Sequence, residues 1–299
     1  MNPRAQIRLL PDGRRLHLHD GPIDLIVEAF GQTQEVEVAY RAACARFVTV
    51  LDELCSELSF LRQRCCPGNA WPRGAVARRM TAAVMPYSTE CFITPMAAVA
   101  GAVAEEVLAV MVESANLSRA YVNDGGDIAL HLSAGERFTV GMIERPDRLS
   151  LFGTTTLQFD DSVRGIATSG WRGRSFSLGI ADAVTVLADR AAAADAAATI
   201  IANAVDLPGH PAIRRVPATD LVPDNDLGCR LVTQSVGSLT ASEVSQALAL
   251  GAQTADRLLR MGLVRSAALH LHGETRVVGD IRNSKLIFTP VRERIMAHA

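Results

Sequence analysis

Between Ala191 and Val205 the chain is almost purely Ala, Ile and Val, and three polar residues interrupt it at every fourth position: Asp195, Thr199 and Asn203. A helix turns about 100° per residue, so residues four apart share a face, and the spacing predicts an apolar helix carrying one polar stripe. A helix apolar nearly all round is buried, and a buried carboxylate is costly unless a cation or hydrogen-bond donors meet it. Two readings of the stripe are open. One is a short solvent-facing strip among small alanines; the other is a metal or ligand site built from the Asp195 carboxylate and the Thr199 hydroxyl, oxygen donors of the kind Mg²⁺ or Ca²⁺ prefers.

The same patterning predicts the other elements. Ile7 to Leu10 and Arg15 to His19 flank Pro11-Asp12-Gly13 and read as a hairpin. Val36, Tyr40, Ala43, Phe47, Val50, Leu54, Leu58 and Leu61 step by three or four, which predicts one long amphipathic helix, with a loop from Pro67 to Gly74. Pro95 to about Val112 is apolar almost all round and predicts an internal helix, with Glu106 close to its bulky face. Strands follow at Arg119 to Leu132, interrupted by Asn123-Asp124-Gly125-Gly126-Asp127, then at Phe138 to Glu144, Thr154 to Phe159, Gly165 to Ser169 and Ala183 to Ala188. Thr240 to Glu243 is a capping box before a helix whose inner face carries Val244, Leu248, Gly251, Ala255 and Leu258. Two strands, Ala267 to His272 and Thr275 to Val278, end the pattern. Helices and strands interleave without a βαβ period, so the fold class is α+β. The expectation is a single domain over 1–299, with a sub-boundary at the Pro-rich segment 207–224.

Composition narrows the function classes. Hydrophobic residues make up 48% and charged residues 21% of 299 residues, with a formal net charge of −2, so neither a nucleic acid nor an anionic membrane is implied as partner. The start carries no signal-like apolar run and no segment holds about 18 uninterrupted apolar residues, which leads to the expectation of a cytoplasmic protein. The six cysteines show no CxxC spacing, and only Cys65 and Cys66 are adjacent; free thiols with packing roles are expected, and a redox or metal role for the vicinal pair is the alternative.

Several clusters could carry chemistry. Asn123, Asp124, Gly125, Gly126 and Asp127 could form a loop whose backbone approaches a ligand closely, or simply a tight hairpin turn. Thr168, Ser169 and Gly170 place two hydroxyls and a glycine at a strand end, suited to phosphate contacts or to an ordinary turn. Glu106 is a candidate base, the alternative being a partner arginine or a solvated rim. The strands Leu16-His17-Leu18-His19 and Leu269-His270-Leu271-His272 could pair and gather four imidazoles around a metal, or present histidines on their wet sides.

The order of these segments resembles the ApbE-type FAD:protein FMN transferases. NDGGDI from Asn123 to Ile128, FTVGMIERP from Phe138 to Pro146, GIATSG from Gly165 to Gly170, and ADAAAT from Ala194 to Thr199, after Val184-Thr185-Val186, are similar to that family's N-x-GGD loop, V-G-I strand, A-T/S-S-G strand and metal-binding helix. The resemblance implies an ApbE-like, T-fold-related fold with antiparallel or mixed sheets flanked by helices. It also implies Mg²⁺ held by Asp195 and Thr199, and FAD or FMN as cofactor near Asn123 to Asp127 and Thr168 to Gly170. With FITPMAAVAGAVAE from Phe92 to Glu105 and LGCRLVT from Leu227 to Thr233, the rest of the chain resembles a cytoplasmic, functionally uncharacterised branch of the ApbE-like superfamily.

Two departures shape the functional expectation. Met96 to Gly101 lacks the Lys and Asp of the family's K-G-Y-A-x-D segment, and Ser177 to Asp182 is shorter than the family's H-I-x-D-P-x-T-G segment and lacks its His. The retained metal pair points to Mg²⁺ and a small-molecule, phosphate-bearing ligand, flavin-like or of dinucleotide or pterin type, with FMN transfer among the activities implied. The alternative is a flavin or nucleotide binding protein that kept the pocket and lost the transfer chemistry. A third reading makes the stripe a subunit interface and the protein a homodimer.

Overall fold

The structure, a computed structural model, describes residues 4–145 and 148–279. In chain order its elements are β1 (Gln6–Leu9), β2 (Leu16–Asp20), β3 (Ile23–Gly31), α1 (Thr33–Ser56), α2 (Leu58–Leu61), α3 (Ala75–Val84), α4 (Val99–Ser114), β4 (Leu117–Asp124) and β5 (Asp127–Leu132). They continue with β6 (Arg137–Arg145), β7 (Arg148–Gln158), β8 (Gly165–Ser169), β9 (Ala183–Ala188), α5 (Ala191–Ala204), β10 (Ile213–Pro217), α6 (Ala218–Leu221), β11 (Leu231–Val236), α7 (Ala241–Arg260), β12 (Ser266–Leu271) and β13 (Glu274–Gly279). A nine-stranded sheet runs β1-β2-β3-β4-β5-β8-β9-β12-β13 with antiparallel neighbours throughout, bearing out the α+β class.

One face of the sheet carries the main core. Phe47 on α1, Met80 on α3, Val103 and Met111 on α4, Ile201 on α5 and Leu248 on α7 are fully or nearly fully buried there, against Leu25, Val27, Val122, Val184 and Leu269 from the strands. The Ala-rich run is the helix α5, and seven of its alanines are buried, as an apolar cylinder requires. Small side chains let it lie close to β8 and β9 below and to α4 and α7 beside it. On the opposite face, the antiparallel β6–β7 ribbon covers a smaller cluster that includes Leu130, Leu157, Ile166 and Leu187. Arg119 anchors it, its guanidinium lying 4.2 Å from the Phe30 ring centre and 5.2 Å from that of Phe138.

The expected hairpin, the capping box at Thr240 and the inner face of α7 are all present; Thr240 and Glu243 bond reciprocally. Four expectations change. Ile23–Gly31 is a central strand absent from the sequence-level assignment, because burial on both faces toward its end hides the alternation. Ala75–Val84 is a helix that follows the expected loop. The long amphipathic helix stops at Ser56 and resumes as the single turn α2, since Glu57 has left the helical region with φ −114°. The two His-bearing strands do not pair: β3, β4, β5, β8 and β9 lie between β2 and β12, so the four imidazoles cannot meet. His17 instead bonds Asp24 and Arg8, while buried His270 bonds the Thr275 hydroxyl.

The Pro-rich segment holds β10 and α6, and β10 pairs with β11. Pro146, the expected end of the strand at Phe138, lies outside the described residues. The segment Pro95–Ser114 is long and apolar enough to cross a membrane by length and composition, yet much of it is buried inside the fold, between α1 and α5.

Candidate functional site

The two-residue turn between β4 and β5 needs positive φ at both central positions, which Gly125 (63°) and Gly126 (115°) supply without steric cost. Asn123 locks it, its side-chain oxygen accepting the Gly126 amide at 2.8 Å. Asp124 and Asp127 are directly paired across the turn, and the Thr168 amide donates to Asp127 at 3.1 Å. That bond ties the Asn123–Asp127 turn to the Thr168–Gly170 strand end, which the sequence showed only as separate motifs. The Thr168 hydroxyl is shared with Thr185 at 2.9 Å. Gly170 is required by packing, because a Cβ there would fall within 2.5 Å of the Asp182 carbonyl oxygen.

The helix α5 brings Asp195 to the same place. Its carboxylate accepts the Gly101 amide at 3.1 Å and also bonds the Ala100 amide, two otherwise orphaned donors of the first turn of α4. Asp195 and Asp127 keep partial solvent contact, and Asp124 is buried. Burial pushes the Asp195 carboxyl up to about 7, and the nearby Asp124 charge adds to this against the α4 amides, which pull the other way. Asp124 is likewise pushed up to about 7 by burial, against the Asp24 amide and Arg174. Burial raises Asp127 well above the usual carboxylate range, and the facing charge of Asp195 raises it further. Three carboxyls thus lie within electrostatic reach of one another, and full ionisation of all three is disfavoured.

Among the described residues, no three His, Cys, Asp or Glu side chains close around one point as a protein-only metal cage does. A divalent cation held by one or two carboxylates, completed by water and ligand phosphates, needs no such cage. Asp195 and Thr199 lie one helical turn apart on α5, and the Thr199 hydroxyl makes no hydrogen bond to another described residue. An unbonded hydroxyl one turn from the Asp195 carboxyl fits a hard cation in its donor chemistry. Asn203, the third residue of the stripe, is occupied differently: its side-chain oxygen accepts the Leu178 amide at 2.9 Å and the Ser177 hydroxyl at 3.3 Å.

Both departures from the family pattern lie against this helix. Met96–Gly101 supplies the α4 amides that meet Asp195, and Ser177–Asp182 is pinned to α5 through Asn203. Asp182 anchors the segment before it, accepting from Trp171 Nε1 at 3.2 Å, from Arg172 at 2.6 Å and from the His272 amide at 2.8 Å. Arg174 lies over the Gly125 Cα, with its guanidinium 3.9 Å from Asp124, and no sequence signal marked it. Glu106 is on another face of α4, its two oxygens accepting from Arg46 at 2.9 Å and Arg79 at 3.0 Å, the partner-arginine arrangement. Its neighbour Glu105 bonds the Ala192 amide at 2.9 Å in the first turn of α5. Glu105 also lines a cleft of about 240 Å³ with Arg164 and Arg190, which shares no residue with the carboxyl cluster.

Fold and site define an α+β protein with an oxygen-rich acidic centre held between two helix starts and a Gly-Gly turn. The family described as "AbpE bacteria" matches residues 7–277, and the chain belongs to it. Relatives include a UPF0280 protein of Methanopyrus kandleri, 38% identical over 128 residues, covering 43% of this chain and 48% of that protein. A UPF0280 protein of Methanococcoides burtonii is 39% identical over 120 residues, covering 40% and 48%. The matched segment spans about half the length of these curated relatives. Among solved structures, the apo form of the Pseudomonas stutzeri flavinyl transferase ApbE aligns over 96% of this chain and 97% of its own, with 11% identity and a TM-score of 0.49.

Proposed function

We propose that the chain binds a flavin-like or related phosphate-bearing dinucleotide or pterin-type small molecule together with Mg²⁺, as an ApbE-like transferase. The observation that carries this reading is the electrostatic coupling of Asp195 to Asp127 and Asp124, with the Thr199 hydroxyl one turn along α5 and unbonded among the described residues. Asp195 and Thr199 are the residues to hold the ion, and Mg²⁺ bound there would neutralise charge on a ligand phosphate oxygen. The Asn123–Asp127 turn and the Thr168–Gly170 strand end, tied together by the Thr168 amide on Asp127, would flank the ligand.

A second reading, ligand binding without transfer, is favoured by one observation. Glu106, the residue expected as a base, has both oxygens engaged by arginines and is not free to take a proton from an acceptor hydroxyl. One experiment separates the readings: incubation with FAD, Mg²⁺ and an Asp-Gly-x-Ser/Thr-Gly-Ala acceptor peptide, followed by peptide mass. Covalent FMN on the peptide, lost in Asp195→Ala, supports transfer. FAD binding that depends on Mg²⁺ and Asp195 without a mass gain supports the binding reading, and FAD binding unaffected by either overturns both.

A further inference from the structure

The vicinal cysteines fall outside this site, in a part of the fold that the proposed function does not use. The Cys65 amide donates to the Ile93 carbonyl at 2.8 Å, which fixes the loop after α2 against the start of the Pro95 segment. Cys65 is buried, Cys66 is half-buried, and both are free thiols. The Cys65 Sγ lies 4.0 Å from the Met85 Sδ, at the end of α3. Cys65, Cys66 and Met85 line one small cavity, together with Gln63, Arg64, Asn69 and Thr81, whose free volume of about 10 Å³ is that of a single atom or one water. The two thiols are near enough for the charge of Cys66 to add to burial in raising the Cys65 thiol.

Three of the groups lining that space are soft sulfurs. Thiolate and thioether sulfurs select Cu(I) over the hard divalent ions. The Thr81 hydroxyl is already committed to the Ala77 carbonyl at 2.9 Å. Two thiolates around a monovalent cation carry a net single negative charge. Arg64 lines the cavity and makes no hydrogen bond or ion pair with another described residue, so its guanidinium is free to balance that charge.

We propose that Cys65, Cys66 and Met85 form a three-sulfur site for a soft monovalent cation of the Cu(I) class. Each thiol gives its proton to solvent as its S–H bond is replaced by a sulfur–metal bond, and no electron is transferred. The site is independent of the Asp195 centre and shares no residue with it.

The test titrates Cu(I) anaerobically against a chromophoric Cu(I) chelator, using the reduced full chain in a Cys55→Ser, Cys229→Ser background that removes the two exposed thiols. The expected result is one equivalent drawn from the chelator. Removal of an outer-shell group around a metal costs about 10 to 100-fold in affinity, so loss of a direct ligand in Cys65→Ser, Cys66→Ser or Met85→Leu should cost at least that. Met85→Leu preserves volume and apolarity, and thermal melting of the unloaded variants checks folding. No equivalent bound in the background protein, or one that survives Cys65→Ser or a folded Met85→Leu, overturns the assignment.

Discussion

The Asp195 carboxylate accepts the Gly101 amide at 3.1 Å, so a side chain from one helix caps the start of another. The arrangement is reciprocal, because Glu105 on α4 accepts the Ala192 amide in the first turn of α5 at 2.9 Å. Neither helix has a capping side chain of its own: Ala98 and Arg190 occupy the N-cap positions without a side-chain bond. Each helix therefore depends on a carboxylate from the other, favourably placed at the positive end of a helix dipole. The same contact that fixes the crossing fixes the direction of Asp195.

Loss of one cap has a defined cost. Replacing an N-cap acceptor by Ala costs about 0.5 to 2 kcal/mol, and Glu105→Ala also removes a partner of Arg79, so a loss toward the upper end is expected in urea denaturation. Glu105→Gln keeps an acceptor oxygen and should recover part of the loss. Equal stability of Glu105→Ala and wild type would show that the cap is idle.

The crossing itself is the second test. A Cβ on Gly101 would run into the Ala191 carbonyl and the Ala192 amide, backbone that cannot rotate away. Gly101→Ala is expected to lower the denaturation midpoint by the equivalent of about 1 to 3 kcal/mol, the usual cost of overpacking, despite the better helix propensity of Ala. A stabilised Gly101→Ala would mean that the helices sit further apart.

The carboxyl cluster gives a pH prediction. Asp195 and Asp124 are raised to about 7 in the folded chain against an ordinary value near 4, so between those limits the folded state holds more protons than the unfolded one. By linkage their contribution is fully present below about pH 4 and is lost as pH rises toward 7. Without divalent ions, the melting temperature of wild type relative to Asp195→Asn should fall over that window, since the amide does not titrate. A difference that stays flat or rises from pH 4 to 7 would contradict the raised carboxyls.

Mg²⁺ should reverse that trend by binding the ionised form. A ligand that binds only the folded chain adds about 2.7 kcal/mol at 100 times its Kd, so Mg²⁺ with FAD is expected to raise the melting temperature of wild type at pH 7. Asp195→Ala should abolish the gain. Thr199→Val is the sharper variant, because the hydroxyl makes no hydrogen bond among the described residues and its loss should leave the unliganded stability nearly unchanged. Equal Mg²⁺ shifts in wild type and Thr199→Val would remove Thr199 from the ligand set.

The pattern of the chain by itself determined α5 from Ala191, the strands Gly165–Ser169 and Ala183–Ala188, and the capped start of α7, because alternation, apolar runs and capping residues are local signals. It also put Asp195, Thr199 and Asn203 on one face and brought the turn at Asn123 to Asp127 under consideration. The partners of those residues were decided only by tertiary structure. Whether Asp195 met an amide, a cation or water depended on where α4 crosses α5, a contact across 94 residues of chain with no local trace. The same holds for Glu106, whose arginines come from α1 and α3, and for Arg174 over Gly125. Hydrophobic period fixes which side of an element faces inward; which other element waits there is set by how all the buried faces pack at once.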